Sequence, residues 1–170
     1  MIKDHTEPEK QLQQTFSKVN NLLCESNSEG LFVTAFEGVL DLVTGEFIFI
    51  NAGHETPYIC RNGQAFELYK LRPGFVLAGM EDMSYKTVSV TFEPGDKLFQ
   101  YTDGVTEATN AENKLYGQDR LSAVLAKNSQ KSPTELLPIV RADIDAFVGE
   151  APQFDDITML CFEYKKKMEE

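Results

Sequence analysis

Residues 31–52 read LFVTAFEGVLDLVTGEFIFINA, and the division of this stretch decides the fold. Two runs rich in β-branched and aromatic residues, LFVTAFEGVLDL and EFIFINA, flank Val43-Thr44-Gly45. Runs of that kind around a short glycine-bearing connection read as a β-hairpin. The pattern recurs in PYICRNGQAFELY, centred on Asn62-Gly63, a pair that tolerates the positive φ angles of a tight turn. YKTVSVTF and DKLFQYT follow as two more strands, joined by EPGD, where Pro94-Gly95 suits a type II turn. Hairpin connections without βαβ alternation predict antiparallel sheet.

Helical spacing brackets this β-rich stretch. Thr6-Glu7-Pro8-Glu9 has the form of a capping box. Leu12, Phe16, Val19, Leu22 and Leu23 then recur on one face of a helix over roughly residues 7–25. SNSEG at 26–30 ends it. The loop LRPGFVLAGMEDM (71–83) carries Phe75, Met80 and Met83, which read more readily as gap fillers under the loop than as the lining of a flap. GQDRLSAVLAKN predicts a second helix, and Ser132-Pro133-Thr134-Glu135 opens a third. Pro138 restricts the regular part of that third helix to about residues 137–148. DITMLCFEY closes the chain as a strand. The expected class is α+β, one domain over residues 1–170, ordered helix, six strands, two helices, strand.

A net charge of −11 argues against nucleic acid or an anionic membrane as the main partner, because both require a basic surface. Lys165-Lys166-Lys167 is too short a basic run to alter that. Three widely spaced cysteines form no CxxC pattern, which argues against a disulfide framework or structural zinc. Cys24 and Cys161 lie in apolar patterns and read as core residues. No secretory signal or long apolar run is present, so a cytoplasmic location is the expectation.

Three stretches put polar residues where a strand finishes or starts. Asn51-Ala52-Gly53-His54 ends FIFI, Asp103-Gly104 ends KLFQYT, and Asp155-Asp156 opens the last strand. Alternation along that strand would send the two neighbouring carboxylates to opposite sides. Strand ends hold carboxylates still, as Mg²⁺ and Mn²⁺ require. Asp103 and Asp155 lie 52 positions apart, so only the fold can unite them. An ordinary turn at Asp103 and a helix-to-strand corner at Asp155 fit the same residues. His54 fits a phosphate contact, a proton donor or a cap on the loop after Gly53; His5 falls in the terminus. Thr102 and Thr106 can donate to the Asp103 loop, and Glu107 reads as solvated. GxSxG, P-loop, HExxH and dinucleotide signatures are missing.

Taken together, residues 31–63, PGDKLFQYTDGVTEATNAENKLYGQDRL (94–121) and APQFDDITMLCFEY (151–164) resemble the SpoIIE-like branch of the metal-dependent (PPM-type) protein serine/threonine phosphatases. The resemblance is carried by NAGH, YTDGVTEA and QFDDIT in that order. It implies an antiparallel β-sandwich flanked by helices. It also implies hydrolysis of phosphoserine or phosphothreonine on a protein by water activated between two Mn²⁺ or Mg²⁺ ions, without a covalent enzyme intermediate. Asp103 and Asp155 match the metal-binding aspartates, with Gly104 and Asp156 as possible ligands or supports. Asn51, Gly53, His54 and Thr102 fall near the site. The implied partner is a phosphorylated regulatory protein, such as a regulator of a sigma-factor partner.

Family members also carry a Gly-Gly-Asp-type strand and an Asp-Val-Ser-Gly-type segment, upstream of the first helix, that supply further carboxylates. Neither occurs in this sequence. The expectation is the C-terminal portion of a phosphatase domain, cut from a longer protein whose upstream part carries a sensor or membrane region. A short non-catalytic binding module, or a homodimer pairing exposed sheet edges, are the competing expectations.

Overall fold

The structure, a computed structural model, describes residues 7–153 and 155–165. His5, Thr6, Phe154, Lys166 and Lys167, on which parts of the sequence reading fall, lie outside them. In chain order the elements are α1 (Pro8–Glu25), β1 (Ala35–Leu40), β2 (Glu46–Ala52), β3 (Tyr58–Cys60), β4 (Phe66–Leu68), β5 (Val88–Thr91), β6 (Lys97–Tyr101), α2 (Asp103–Thr106), α3 (Gly117–Lys127), α4 (Pro133–Val148) and β7 (Met159–Glu163). The class is α+β, and every strand ladder is antiparallel. Two compact units result: residues 7–54 with 71–92, and residues 55–70 with 93–165. Among the described residues no helix is long and apolar enough to cross a membrane.

The first unit is built on the sheet β1-β2-β5, with α1 against it. Alternation along β2 sends Ile48, Ile50 and Ala52 toward a core shared with Leu12, Phe16, Leu77 and Tyr85. Phe47 and Phe49 lie on the other face, their rings 5.3 Å apart, with Phe36 and Phe92 beside them. Those among them that are fully buried, such as Phe49 and Ile50, each contribute about 1.5–3 kcal/mol. The β1–β2 connection is organised by Asp41, whose carboxylate accepts the Val43 and Thr44 amides at 2.8 and 2.9 Å.

The first helix is amphipathic along a different stripe from the one its leucines mark. Leu12, Phe16 and Asn20 are its buried residues, whereas Val19, Leu22 and Leu23 are exposed. Asn20 takes the interior position because its amide serves the loop at 71–83. Its Oδ1 accepts Ala78 N (3.0 Å) and Tyr85 OH (3.1 Å), and its Nδ2 donates to Met80 O (2.8 Å). That loop is held by these polar bonds together with the buried Leu77. Met83 packs against the core, but Phe75 and Met80 are exposed. The N-cap of α1 is Glu7, which makes no side-chain cap bond.

The second unit carries the sheet β4-β3-β6-β7. Tyr58, Cys60, Phe99 and Tyr101 form its inner face against Leu121 and Leu125 of α3 and Leu136, Val140 and Ile144 of α4. Asn62 and Gly63 turn the β3–β4 hairpin with φ of 44° and 71°. Asp96, 2% exposed, ties that turn to the start of β6: it accepts Asn62 N (2.8 Å), Glu93 N (3.0 Å) and the Arg61 guanidinium (2.6 Å). The third helix of the sequence reading opens at Ser132-Pro133 as expected, but it is regular from Pro133 rather than from about residue 137, with Pro138 inside it. The Ser132 amide donates to Glu135 at 3.0 Å, which fixes the first turn so that Pro138 removes only one early bond. Among the cysteines, Cys60 is the fully buried one, and Cys24 and Cys161 are half-buried.

Candidate metal centre

The strand β6 does not end in a simple turn. Thr102 is extended (φ −92°, ψ 157°) and the chain then enters the one-turn helix α2, with Glu107 N donating to Asp103 O at 2.8 Å. Val105, fully buried, draws this turn into the core of the second unit, and Asp103 at its first position stays exposed. Thr106 Oγ1 donates to Asp103 O (3.3 Å), as its position in the sequence suggested.

Thr102 has the larger role, and it is directed elsewhere. Its amide donates to Thr158 O (3.1 Å), its Oγ1 donates to Asp156 O (2.9 Å), and the same Oγ1 accepts Thr158 N (3.0 Å). These bonds continue the β6–β7 ladder past its last register pair, Tyr101↔Met159. Asp155 and Asp156 therefore do not lie in the last strand. They precede it in a bend, both exposed, with Asp156 N donating to Asp155 Oδ1 at 2.7 Å. The expected alternation of the two carboxylates across a strand is replaced by this bend, because backbone pairing with β6 reaches no further back than Thr158.

Gly104 lets the two segments abut. A Cβ at that position would lie 2.5 Å from Asp156 O and 3.0 Å from Asp156 C. The fold thus brings the Asp103 turn and the Asp155–Asp156 bend into backbone contact across the sequence gap. The donors are hard carboxylate oxygens, the class that Mg²⁺ and Mn²⁺ take. Among the described residues no group of three or more His, Cys, Asp or Glu is placed to hold a metal ion. Two such carboxylate segments would supply only part of a divalent-cation shell.

The turn is anchored on both flanks. Tyr101 is buried, which pushes its phenol well above its ordinary range, with the Glu55 charge adding to the effect. Tyr116 N donates to Ala108 O (2.7 Å), and Tyr116 OH donates to Asp143 (2.8 Å). The bonded Arg120 guanidinium holds the Asp143 carboxyl below its ordinary range. A cavity of about 280 Å³ opens beside Gly104 and Asp155, walled by Ile144, Val148 and Ile157, with Glu107 and Arg141 also lining it. No sequence signal pointed to Arg141 there. Glu107 is exposed, as read.

Asn51, Gly53 and His54 belong to the first unit. Asn51 closes a loop on itself: its Oδ1 accepts His54 N (2.8 Å) and its Nδ2 donates to His54 O (3.0 Å). Gly53 has φ +72°, and a Cβ there would run into Val76. The His54 ring is engaged through Nδ1 with Thr34 Oγ1 at 2.9 Å. The loop is thus closed by the Asn51 side chain on the His54 backbone, while the His54 ring reaches Thr34.

The family profile described as "Stage II sporulation protein E (SpoIIE)" matches residues 1–165. Protein IcfG of Synechocystis sp. is 33% identical over 137 residues, covering 81% of this chain and 21% of that protein. Phosphoserine phosphatase RsbU of Bacillus subtilis is 26% identical over 126 residues, covering 73% of this chain and 37% of RsbU. The phosphatase domain of SpoIIE from Bacillus subtilis, in manganese-presoaked crystals, superposes with a TM-score of 0.66 at 14% identity. It covers 100% of this chain and 77% of that one. At that identity the superposition speaks for the fold alone. The chain spans well under half the length of either curated relative.

Proposed function

The chain belongs to the SpoIIE family, and from that premise we propose that Asp103 and Asp155 hold a divalent cation for hydrolysis of phosphoserine or phosphothreonine on a regulatory protein. The observation that carries this is the contact of the two carboxylate segments, joined through Thr102 and made possible by Gly104. Bound Mn²⁺ or Mg²⁺ supplies charge neutralisation at the phosphoryl oxygens and a water of lowered pKa for in-line attack. The name of RsbU, a phosphoserine phosphatase, and the manganese soak of the SpoIIE phosphatase domain support the substrate class and the metal.

In this reading Thr102 is a positioning residue that sets the spacing of the two aspartates, and Gly104 is the slot that permits it. Asp156 gives its carbonyl to Thr102, which leaves its carboxylate as a support or an additional ligand. Asn51 and Gly53 shape the end of β2, the Asn51 amide closing on the His54 backbone. Residues 1–170 form the C-terminal portion of one phosphatase domain, as one family profile running through both units supports.

The test is hydrolysis of an aryl phosphate with and without Mn²⁺, together with Mn²⁺ binding by calorimetry, for the chain and for Asp103→Asn. Manganese-dependent turnover, or manganese binding, that Asp103→Asn abolishes is the expected result. Binding and turnover unchanged in both Asp103→Asn and Asp155→Asn would overturn the assignment. A folded chain that neither binds metal nor turns over would favour the non-catalytic binding module.

A further inference from the structure

The first unit contains a cavity of about 410 Å³ whose charge opposes that of the chain. The sequence has 27 acidic against 16 basic residues, yet the charged side chains lining this cavity are Arg72 and Lys86, and no carboxylate lines it. Neither cation forms an ion pair with a described residue. Ser84 adds a hydroxyl, whereas the Asn51 amide is taken by the His54 backbone. The volume lies in the range of ligand pockets, roughly 300–1,000 Å³.

Both walls are held in place. On one side Gly74 N donates to Asn51 O at 2.8 Å, and a Cβ at Gly74 would lie 2.9 Å from that oxygen, so the loop at 71–74 lies hard against the end of β2. On the other side Tyr85 is buried, its hydroxyl donating to Asn20 Oδ1 (3.1 Å), and Val88 pairs with Phe49. At the rim the Thr87 hydroxyl donates to Glu9 of α1 (2.5 Å). A preformed cationic cavity needs little reorganisation to bind, which favours affinity.

We propose that this cavity docks an acidic segment of a protein partner, with Arg72 and Lys86 taking its carboxylate or phosphate groups. Charge complementarity selects an anion. The size of the cationic surface selects a short segment over a nucleic acid, because a polyanion draws its affinity from many phosphate contacts and two cations supply few. The chain's overall negative charge repels an extended polyanion, whereas at physiological salt that repulsion is screened beyond about 8 Å and the two local cations dominate. The docking does not depend on metal at Asp103.

The experiment is fluorescence anisotropy of a labelled glutamate-rich dodecapeptide with the whole chain, in 0.15 M NaCl and a chelator so that the metal reading is not involved. Saturable binding is expected, tighter when one glutamate is replaced by phosphoserine. Arg72→Gln/Lys86→Gln is expected to weaken it at least about tenfold. Both side chains are exposed, so an unchanged thermal midpoint is expected to show that the double variant folds. Equal affinity for the wild type and double variant overturns the proposal. So does the lack of saturable binding by either peptide, or a single-stranded oligonucleotide of the same charge binding as tightly.

Discussion

Replacing Gly104 with alanine isolates the contact on which the metal reading depends, because it alters no carboxylate. Gly104 does not have a positive φ, so the backbone accepts alanine. Inside a helical turn, alanine is favoured over glycine by about 0.5–1 kcal/mol. Against this stands a Cβ 2.5 Å from Asp156 O and 3.0 Å from Asp156 C, where carbon contacts settle at roughly 3.5–4.0 Å. The obstacle is backbone, not the end of a flexible side chain, so the 155–156 bend must retreat by about 1 Å. That strains the Thr102–Asp156 bond, worth about 1 kcal/mol. The overpacking itself costs about 1–3 kcal/mol.

Sterics therefore exceed propensity, and the net loss should be about 2 kcal/mol. For a chain of this size that lowers the thermal midpoint by about 4–8 °C. The same displacement is large against the ±0.2 Å tolerance of metal–ligand distances, so Mn²⁺ binding should fall with it. Circular dichroism melts and manganese calorimetry read the two effects. A Gly104→Ala protein that melts at or above the wild-type temperature and binds manganese equally well would show that the two segments are not held together by this contact.

Further expectations concern the groups that position the site and the loops. Asn20→Ala leaves Ala78 N and Met80 O without their buried partner and should cost about 2–4 kcal/mol, read by urea unfolding. For Asp96, burial alone would raise the carboxyl, but the bonds from Glu93 N, Arg61 and Asn62 N outweigh it and hold the carboxyl below its ordinary 3.8. Its stabilisation is therefore fully present above that value and lost as pH falls through the depressed one; Asp96→Asn should flatten the acid limb of a stability–pH curve below about pH 4. Burial pushes the Cys161 thiol up to about 12, so alkylation at pH 8 should be slow in the folded chain and fast in denaturant, as mass spectrometry would show.

The strands were legible because their signals are local. Alternating β-formers around Gly45 and Asn62-Gly63 produce hairpins whose φ angles only such residues adopt readily, and the antiparallel class follows. The α1 stripe was misread for the complementary reason. Exposed Leu22 and buried Asn20 reverse the usual rule, and nothing local says that Asn20 meets Ala78, Met80 and Tyr85, some sixty positions away. Pro138 was weighed by its missing amide, although the strength of the Ser132–Glu135 start decided where α4 begins.

The candidate site divides along the same line. The sequence by itself determined which residues could carry the chemistry, since carboxylates beside glycine at strand ends are properties of the chain read in order. It also determined the family, through three motifs in fixed succession. Only the tertiary structure decided that Asp155 and Asp156 lie in a bend short of β7, that Thr102 reaches across to that bend, and that Gly104 leaves room for it where a Cβ would not. The physical reason is that residue type is covalent and local, whereas contact between positions 104 and 156 depends on the β6–β7 register, which side-chain packing of the whole second unit sets.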